Sequence, residues 1–209
     1  MKSPFILTAS LFLFLVFLSG PLLAAPTEHP GSVPVLLGLD SVRKELGLTK
    51  IQRAKLDQIR ADFKADARLI TARTPSTPVE KSAANATVKA LLAKYNERAI
   101  AVLTTAQHER LVQIGRQTLG GVMLFLPGEQ KQLGLSAAQT AALEKIRTDG
   151  EVFASRLTGS FEKGDVTLPE RLTALRNYRL KQSARCLRVL SPAQGKAFQS
   201  LQGKEFKPA

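Results

Sequence analysis

An all-α chain made of two tandem helical-hairpin units, each with four helices, is the fold class this sequence predicts. Three observations predict it. The first is a phrase that occurs four times: Leu48-Thr-Lys-Ile-Gln-Arg-Ala-Lys-Leu-Asp-Gln-Ile59, Leu103-Thr-Thr-Ala-Gln-His-Glu-Arg-Leu-Val-Gln-Ile114, Leu135-Ser-Ala-Ala-Gln-Thr-Ala-Ala-Leu-Glu-Lys-Ile146 and Leu190-Ser-Pro-Ala-Gln-Gly-Lys-Ala-Phe-Gln-Ser-Leu201. The second is spacing. Copies one and two start 55 residues apart (103 − 48), as do copies three and four (190 − 135), so the pair recurs with a gapless shift of 87 (135 − 48). Such a period marks an internal duplication and decides the architecture before any single element does. The third is that apolar residues between the copies recur at helical spacing, whereas strand signals are weak throughout.

Each copy starts a helix for a physical reason. Thr49, Thr104, Ser136 or Ser191 is followed three residues later by Gln52, Gln107, Gln139 or Gln194. That is a capping box: the hydroxyl accepts from an orphan backbone N–H, and the Gln reaches back to the N-cap N–H. Each cap is worth about 1 kcal/mol. Leu48, Leu103, Leu135 and Leu190 lead the four copies. Their usual staple partner four residues into the helix is absent, so they are expected to pack on a neighbouring helix.

The chain begins with Met1-Lys2-Ser3, an apolar run from Phe5 to Leu18, then Gly20-Pro21 and small residues ending at Ala24-Ala25. This pattern is that of a secretory signal peptide over residues 1–25, too short for a membrane span of about 20 apolar residues. Residues 26–34 are expected to be a flexible leader. Unit one covers 35–121 and unit two 122–205. Unit one opens with a short helix from Asp40 to Leu46, capped by Asp40 and stopped at Gly47; its twin runs from Pro127 to Leu133 and stops at Gly134. The first long helix carries Gln52, Leu56, Ile59, Phe63, Ala67 and Ile70 on one stripe; its twin carries Gln139, Leu143, Ile146, Gly150, Phe153 and Leu157. Gly150 should weaken that helix by about 1 kcal/mol relative to Ala.

Turns follow at Arg73–Pro78 and Gly159–Asp165, and each ends in a further capping box, Thr77 with Glu80 and Thr167 with Glu170. The second long helix carries Val88, Leu91, Leu92, Tyr95, Ala99 and Val102 in unit one. In unit two the stripe is Leu172, Leu175, Tyr178, Cys186 and Val189. A closing helix from Thr104 to about Leu119 completes unit one, and Gly120-Gly121 is the expected linker. Units this small bury little surface alone, so the two are expected to pack as an elongated pseudo-dimer.

Charge narrows the partners. The chain has 30 Lys and Arg against 17 Asp and Glu. Removing the leader takes away Lys2 and leaves net +12, equally divided at +6 between residues 26–121 and 122–209. A strongly basic surface attracts acidic partners. Beyond a cell membrane these are unfolded or acidic proteins, an envelope sensor protein or anionic polymers; no nucleic-acid motif is visible. Cys186 is the only cysteine, so no internal disulfide forms, and its place on an apolar stripe makes it a buried small hydrophobe.

The phrases Leu46-Gly-Leu-Thr-Lys-Ile-Gln52 and Val102-Leu-Thr-Thr-Ala-Gln107 resemble the paired LTxxQ motifs of the Spy/CpxP-like periplasmic proteins. The tandem form also resembles a group of secreted bacterial proteins that carry such repeats. The resemblance implies an extended helical cradle, often dimeric. It implies ATP-independent binding of unfolded clients on a basic, apolar concave face, or restraint of an envelope-stress sensor kinase. The chain departs from that pattern in a shorter stretch between motifs and in its duplication, which suggests that one chain supplies what two subunits supply elsewhere. A monomeric pseudo-dimer or a homodimer, periplasmic or secreted, is what the resemblance predicts.

No metal site is expected: His29 lies in the leader, and His108 sits at a variable cap position beside Glu109. No nucleophile has a base or oxyanion context and no Gly-rich phosphate loop is present, so the chain is not expected to be an enzyme, and no cofactor is expected. One basic helix stands out, with Arg171, Arg176, Arg179, Lys181, Arg185 and Arg188. Arg171, Lys181, Arg185 and Arg188 are expected to point away from the apolar face. Arg176 and Arg179 are expected on or beside it, either as a solvated face with a snorkelling Arg or as the lining of a basic, greasy concavity that binds clients.

Overall fold

The computed structural model describes residues 33–71 and 77–208. The expected signal peptide, nearly all of the expected leader and most of the Arg73–Pro78 turn lie outside those residues. The fold is all-α; among the described residues there is no strand. The helices are α1 (Val33–Leu36), α2 (Asp40–Glu45), α3 (Lys50–Thr71), α4 (Pro78–Ile100), α5 (Thr105–Leu119), α6 (Pro127–Gln132), α7 (Ala137–Lys163), α8 (Leu168–Leu187) and α9 (Pro192–Ser200), with a 3-10 segment at Gly120–Phe125. None is long and apolar enough to cross a membrane. The chain divides into two compact units, one ending at Ile114 and joined by Phe206–Ala209, the other spanning Gly115–Glu205.

In the first unit α3 and α4 form a long antiparallel hairpin. Leu56 and Ala67 from α3 meet Tyr95 and Ala99 from α4 in the buried core, with Leu36, Leu37, Val42, Leu46 and Leu48 closing one end. The stripes expected on these helices are the buried and half-buried ones. Phe63 and Tyr95 meet edge to face at 5.6 Å, and Tyr95 donates its hydroxyl to Asp66 at 2.8 Å. That bond holds the Tyr95 phenol above its ordinary pKa, because ionising it would put a second negative charge beside the carboxylate. Arg98 bridges to Asp62 at 2.9 Å across the hairpin.

Asp40 does not cap α2. The N-cap is Leu39, without a side-chain hydrogen bond, and Asp40 lies inside the first turn, where its charge still favours the positive end of the helix dipole. The expected leader also ends earlier than residue 34, since Val33 and Pro34 already belong to α1.

In the second unit α7 and α8 form the equivalent hairpin, and Arg185 bridges to Asp149 at 2.6 Å. This pair lies 87 residues from Arg98 and Asp62. The aromatic pair has moved. Phe63 and Tyr95 correspond to Gly150 and Gln182, while Phe153 stacks on Tyr178 one turn away, with centroids 4.1 Å apart. Gly150 is therefore a packing residue. A Cβ there would stand 2.3 Å from Gln182 Nε2, and that amide donates to the Ile146 carbonyl at 3.2 Å. The helix-propensity cost expected for Gly150 is offset by room for a buried side-chain bond.

Two further expectations are corrected in this unit. The turn expected at Gly159–Asp165 is mostly helix, because α7 continues to Lys163 and stops at Gly164, whose φ of 81° suits a residue without a Cβ. Gly120-Gly121 is not a linker. The unit begins earlier, at Gly115, and the 3-10 segment packs on α8 through Gly121. The Gly121 amide donates to Ser183 Oγ at 2.9 Å. A Cβ on Gly121 would lie 2.2 Å from the Ser183 carbonyl oxygen and 3.0 Å from Cys186 Cβ. Gly121→Ala should therefore lower stability by about 1–3 kcal/mol. Gly128→Ala, with nothing within 4 Å of its added carbon, should be close to neutral. Thermal melts of the two variants side by side decide whether Gly121 is a contact or a joint.

Candidate functional site

All four motif copies form their caps. Backbone amides of Gln52, Gln107, Gln139 and Gln194 donate to Thr49, Thr104, Ser136 and Ser191 hydroxyls at 3.2–3.3 Å. The Gln side-chain oxygens accept in return from the four N-cap amides at 2.9–3.0 Å. Of the leading leucines, Leu48 is buried and Leu103, Leu135 and Leu190 are half-buried.

What sequence reasoning missed is that the copies pair. Gln52 Nε2 donates to Gln107 Oε1 at 2.7 Å and to the Val102 carbonyl at 2.9 Å. Gln107 Nε2 answers with bonds to Gln52 Oε1 at 3.3 Å and to the Leu46 carbonyl at 3.2 Å. The same clasp recurs in the second unit. Gln139 Nε2 donates to Gln194 Oε1 at 2.7 Å and to the Val189 carbonyl at 2.8 Å, and Gln194 Nε2 returns to Gln139 Oε1 at 3.2 Å and to the Leu133 and Gly134 carbonyls at 3.3 Å.

Two amides face each other, each accepting at its own N-cap and donating to its partner. Only a primary amide supplies both functions. A sequence signal for this existed. The hairpin boxes of Thr77 and Thr167 use Glu80 and Glu170 at the third position, where closing one's own cap is enough; the four paired copies all use Gln. Each clasp ties a hairpin's first helix to the start of the helix that follows the hairpin.

The helix α8 presents two different faces. Its buried residues are Arg171, Leu175, Gln182 and Cys186; Leu175 and Cys186 stand on the expected stripe, whereas Arg171 takes the inner place expected of Leu172, which is exposed. Arg171, expected to point outward, is 3% exposed. Its guanidinium lies over the Phe161 ring at 4.8 Å and donates to Thr158 Oγ1 at 3.3 Å. The expectation failed because Phe161 was assigned to a turn; within α7 its ring faces α8. Arg185 is half-buried in its Asp149 bridge, not free in solvent. Lys181 and Arg188 are exposed as expected.

Arg176 is exposed and Arg179 half-buried. Burial pushes the Arg179 guanidinium below its ordinary pKa, the sign expected of a cation losing water. On the outer face Leu172, Arg176 and Leu180 follow one another at four-residue spacing. Leu180 is 63% exposed. This is a mixed apolar and basic stripe on the surface of the second unit.

Cys186 is fully buried, and that burial pushes its thiol up to about 12. The thiolate is the reactive form. A thiol reagent at pH 8 should leave the folded protein unlabelled and modify it fully in denaturant; rapid native labelling would contradict the burial. The first unit has an open apolar cavity of about 120 Å³ between α3 and α4, bordered by Arg43 and Arg60. Arg43 is itself buried, donating to the Leu37 carbonyl at 2.5 Å and to Asp57 at 2.6 Å. Among the described residues no group of three or more His, Cys, Asp or Glu could hold a metal.

The fold and site define a class by construction alone: an all-α protein in which Leu-Ser/Thr-x-x-Gln caps pair through their Gln side chains. In comparisons with known proteins, no family model, curated protein or solved structure matches the chain.

Proposed function

We propose that this protein is an ATP-independent, chaperone-like binder of unfolded or acidic proteins in the bacterial cell envelope. The observation that carries the reading is the outer stripe of α8, where Leu172, Arg176 and Leu180 expose apolar and cationic groups together on a chain of net charge +13. Apolar surface left in water on a helix marks an interaction site when it is contiguous, and the flanking cations favour acidic segments. The signal-peptide pattern of residues 1–25 supports a periplasmic or secreted location. The paired motifs support kinship with the Spy/CpxP-like proteins, and the 87-residue repeat supports an intrachain pseudo-dimer. Each half, expressed alone, should then be less stable than in the full chain; equal stability would remove the pseudo-dimer.

The protein should slow aggregation of a denatured acidic test protein without ATP. That effect should weaken as salt rises from low to a few tenths molar, because the Debye length falls to about 8 Å at physiological ionic strength. Replacing Arg176 and Arg179 with Gln should weaken capture more than replacing Lys181 and Arg188, because Arg176 stands between Leu172 and Leu180 on the stripe. An aggregation assay across salt, with both double variants, tests this. No protection at any salt removes the chaperone reading and favours a single envelope partner, such as a stress sensor that the protein restrains. Protection by both double variants alike removes the α8 stripe as its seat.

A further inference from the structure

We infer that the outer face of α8 is a dock for a second helix, an acidic amphipathic segment of a client protein. The proposal rests on the client-binding reading and names the class of segment that the stripe takes. Three observations lead to it. The first is that the face is apolar and left bare. Leu172 is 39% exposed and Leu180 63%, and Arg176 between them is exposed as well. The fold does not call for these side chains. The residues 87 positions earlier, on α4, are Asn85, Lys89 and Ala93, so the first hairpin forms without the two leucines.

The second observation is charge. From Arg171 to Lys204 the chain has eight Lys and Arg and no Asp or Glu. The matching stretch of the first unit, 84–117, has five Lys and Arg and also carries Glu97 and Glu109. Two other arginines of α8 are occupied, Arg171 over the Phe161 ring and Arg185 on Asp149. Arg176 has no carboxylate partner among the described residues. A carboxylate set between apolar side chains is the complement of this face.

The third observation is what the face withholds. It is the side of a helix, and the backbone N–H and C=O groups of α8 are spent inside it. An extended chain laid over Leu172 and Leu180 would bury its own backbone groups without partners. A helix brings its backbone already satisfied. Leu172, Arg176 and Leu180 also form one row of four-residue spacing, roughly 12 Å long at 1.5 Å per residue. Such a row is a ridge that fits the groove of a facing helix.

The test uses full-length protein and fluorescent Ala-rich peptides of about 18 residues, long enough to hold a helix. One has leucines at helical spacing with a Glu among them. A second keeps those residues but has two central prolines, which break the helix. A third has Lys in place of the Glu. Binding is followed by anisotropy. The helical Glu peptide should bind about tenfold or more tightly than the Pro peptide, the order expected for burying two partly exposed leucines. Leu172→Ala with Leu180→Ala should erase that preference; both side chains are exposed, and a thermal melt checks that the variant is folded. Arg176→Glu should reverse the choice between Glu and Lys peptides, a result that misfolding does not give. Arg188→Gln should leave both preferences unchanged.

Equal binding of the helical and Pro peptides by wild type overturns the proposal, and so does a helix preference that survives both Leu→Ala changes. Sedimentation of the protein alone and binding to phosphatidylglycerol vesicles read two other occupants, a second copy of the chain and a lipid surface. Either one, lost in the Leu variant and found without a helix preference, overturns the proposal in its own favour. Aggregation protection measured in parallel separates the dock from the chaperone role. A helix preference without protection leaves the dock standing and removes that role; protection without the preference does the reverse.

Discussion

Glu129→Gln should destabilise the second unit by about 3–5 kcal/mol, the largest loss expected of any single substitution considered for this chain. Glu129 and Arg116 form a buried ion pair, with side chains 6% and 8% exposed. Arg116 grips the carboxylate with both Nε, at 3.0 Å, and a terminal nitrogen, at 2.8 Å. Its remaining donors reach the Leu201 carbonyl at 2.8 Å and Gln132 at 2.9 Å. Four of the five guanidinium N–H groups have these partners, and the desolvation of the pair is offset only while both charges are present. Removing one carboxylate charge leaves a buried guanidinium without its counter-ion. Replacing both, as Arg116→Met with Glu129→Leu, should recover much of the loss, because the desolvation cost of two charges vanishes with them. The more exposed Arg98–Asp62 bridge, screened by solvent, should cost far less when broken. Urea melts of these three variants beside wild type rank the effects. A Glu129→Gln variant that melts like wild type would mean that water reaches the site.

That pair was not legible from the sequence, and the reason is instructive. The residues 87 positions before Arg116 and Glu129 are His29 and Val42, so the repeat offers no template for the pair. Glu129 is one acidic residue in a short polar helix, and nothing in its spacing marks a buried partner. The repeat-preserved features were far more readable. The four caps and the hairpin stripes lie at the same spacing in both copies; the Asp62–Arg98 and Asp149–Arg185 bridges repeat as well, yet no charge pair across a hairpin was expected. Even Arg43 and Gln130, chemically different, perform one task 87 residues apart, donating to the carbonyls of Leu37 and Leu124 respectively. What escaped was every place where the copies exchange roles. Gly121 looked like a joint because glycine pairs often are, yet close approach to Ser183 excludes a side chain there. Arg171 looked solvated because its partner Phe161 had been placed in a loop. Arg176, one position past buried Leu175, faces outward, whereas Arg179, at the edge of the buried face, is half-covered.

Gln52→Glu should cost more than Thr49→Ala, although Glu closes a capping box as well as Gln does. Thr49→Ala removes one cap acceptor, a loss of about 0.5–2 kcal/mol. Gln52→Glu keeps that cap but deletes both amide donors of the clasp. It sets a carboxylate against Gln107 Oε1 and the Val102 carbonyl, the acceptors now reached at 2.7 and 2.9 Å. Acceptor facing acceptor loses two bonds and adds repulsion, together about 2–4 kcal/mol at neutral pH. Part of that loss should be recovered in acid. The clasp disfavours the ionised form, so the introduced carboxyl has a folded pKa above its unfolded value. Destabilisation is then complete above the folded pKa and relieved as pH falls through it, where the protonated acid can donate one bond. Gln139→Glu should behave alike in the second unit, since its distances to Gln194 and Val189 repeat those of the first. The measurement is stability against pH for Thr49→Ala, Gln52→Glu and Gln139→Glu, each relative to wild type. If Gln52→Glu tracks wild type across the range, the two amides do not hold the motifs together, and the preference for Gln over Glu at these four positions needs another cause.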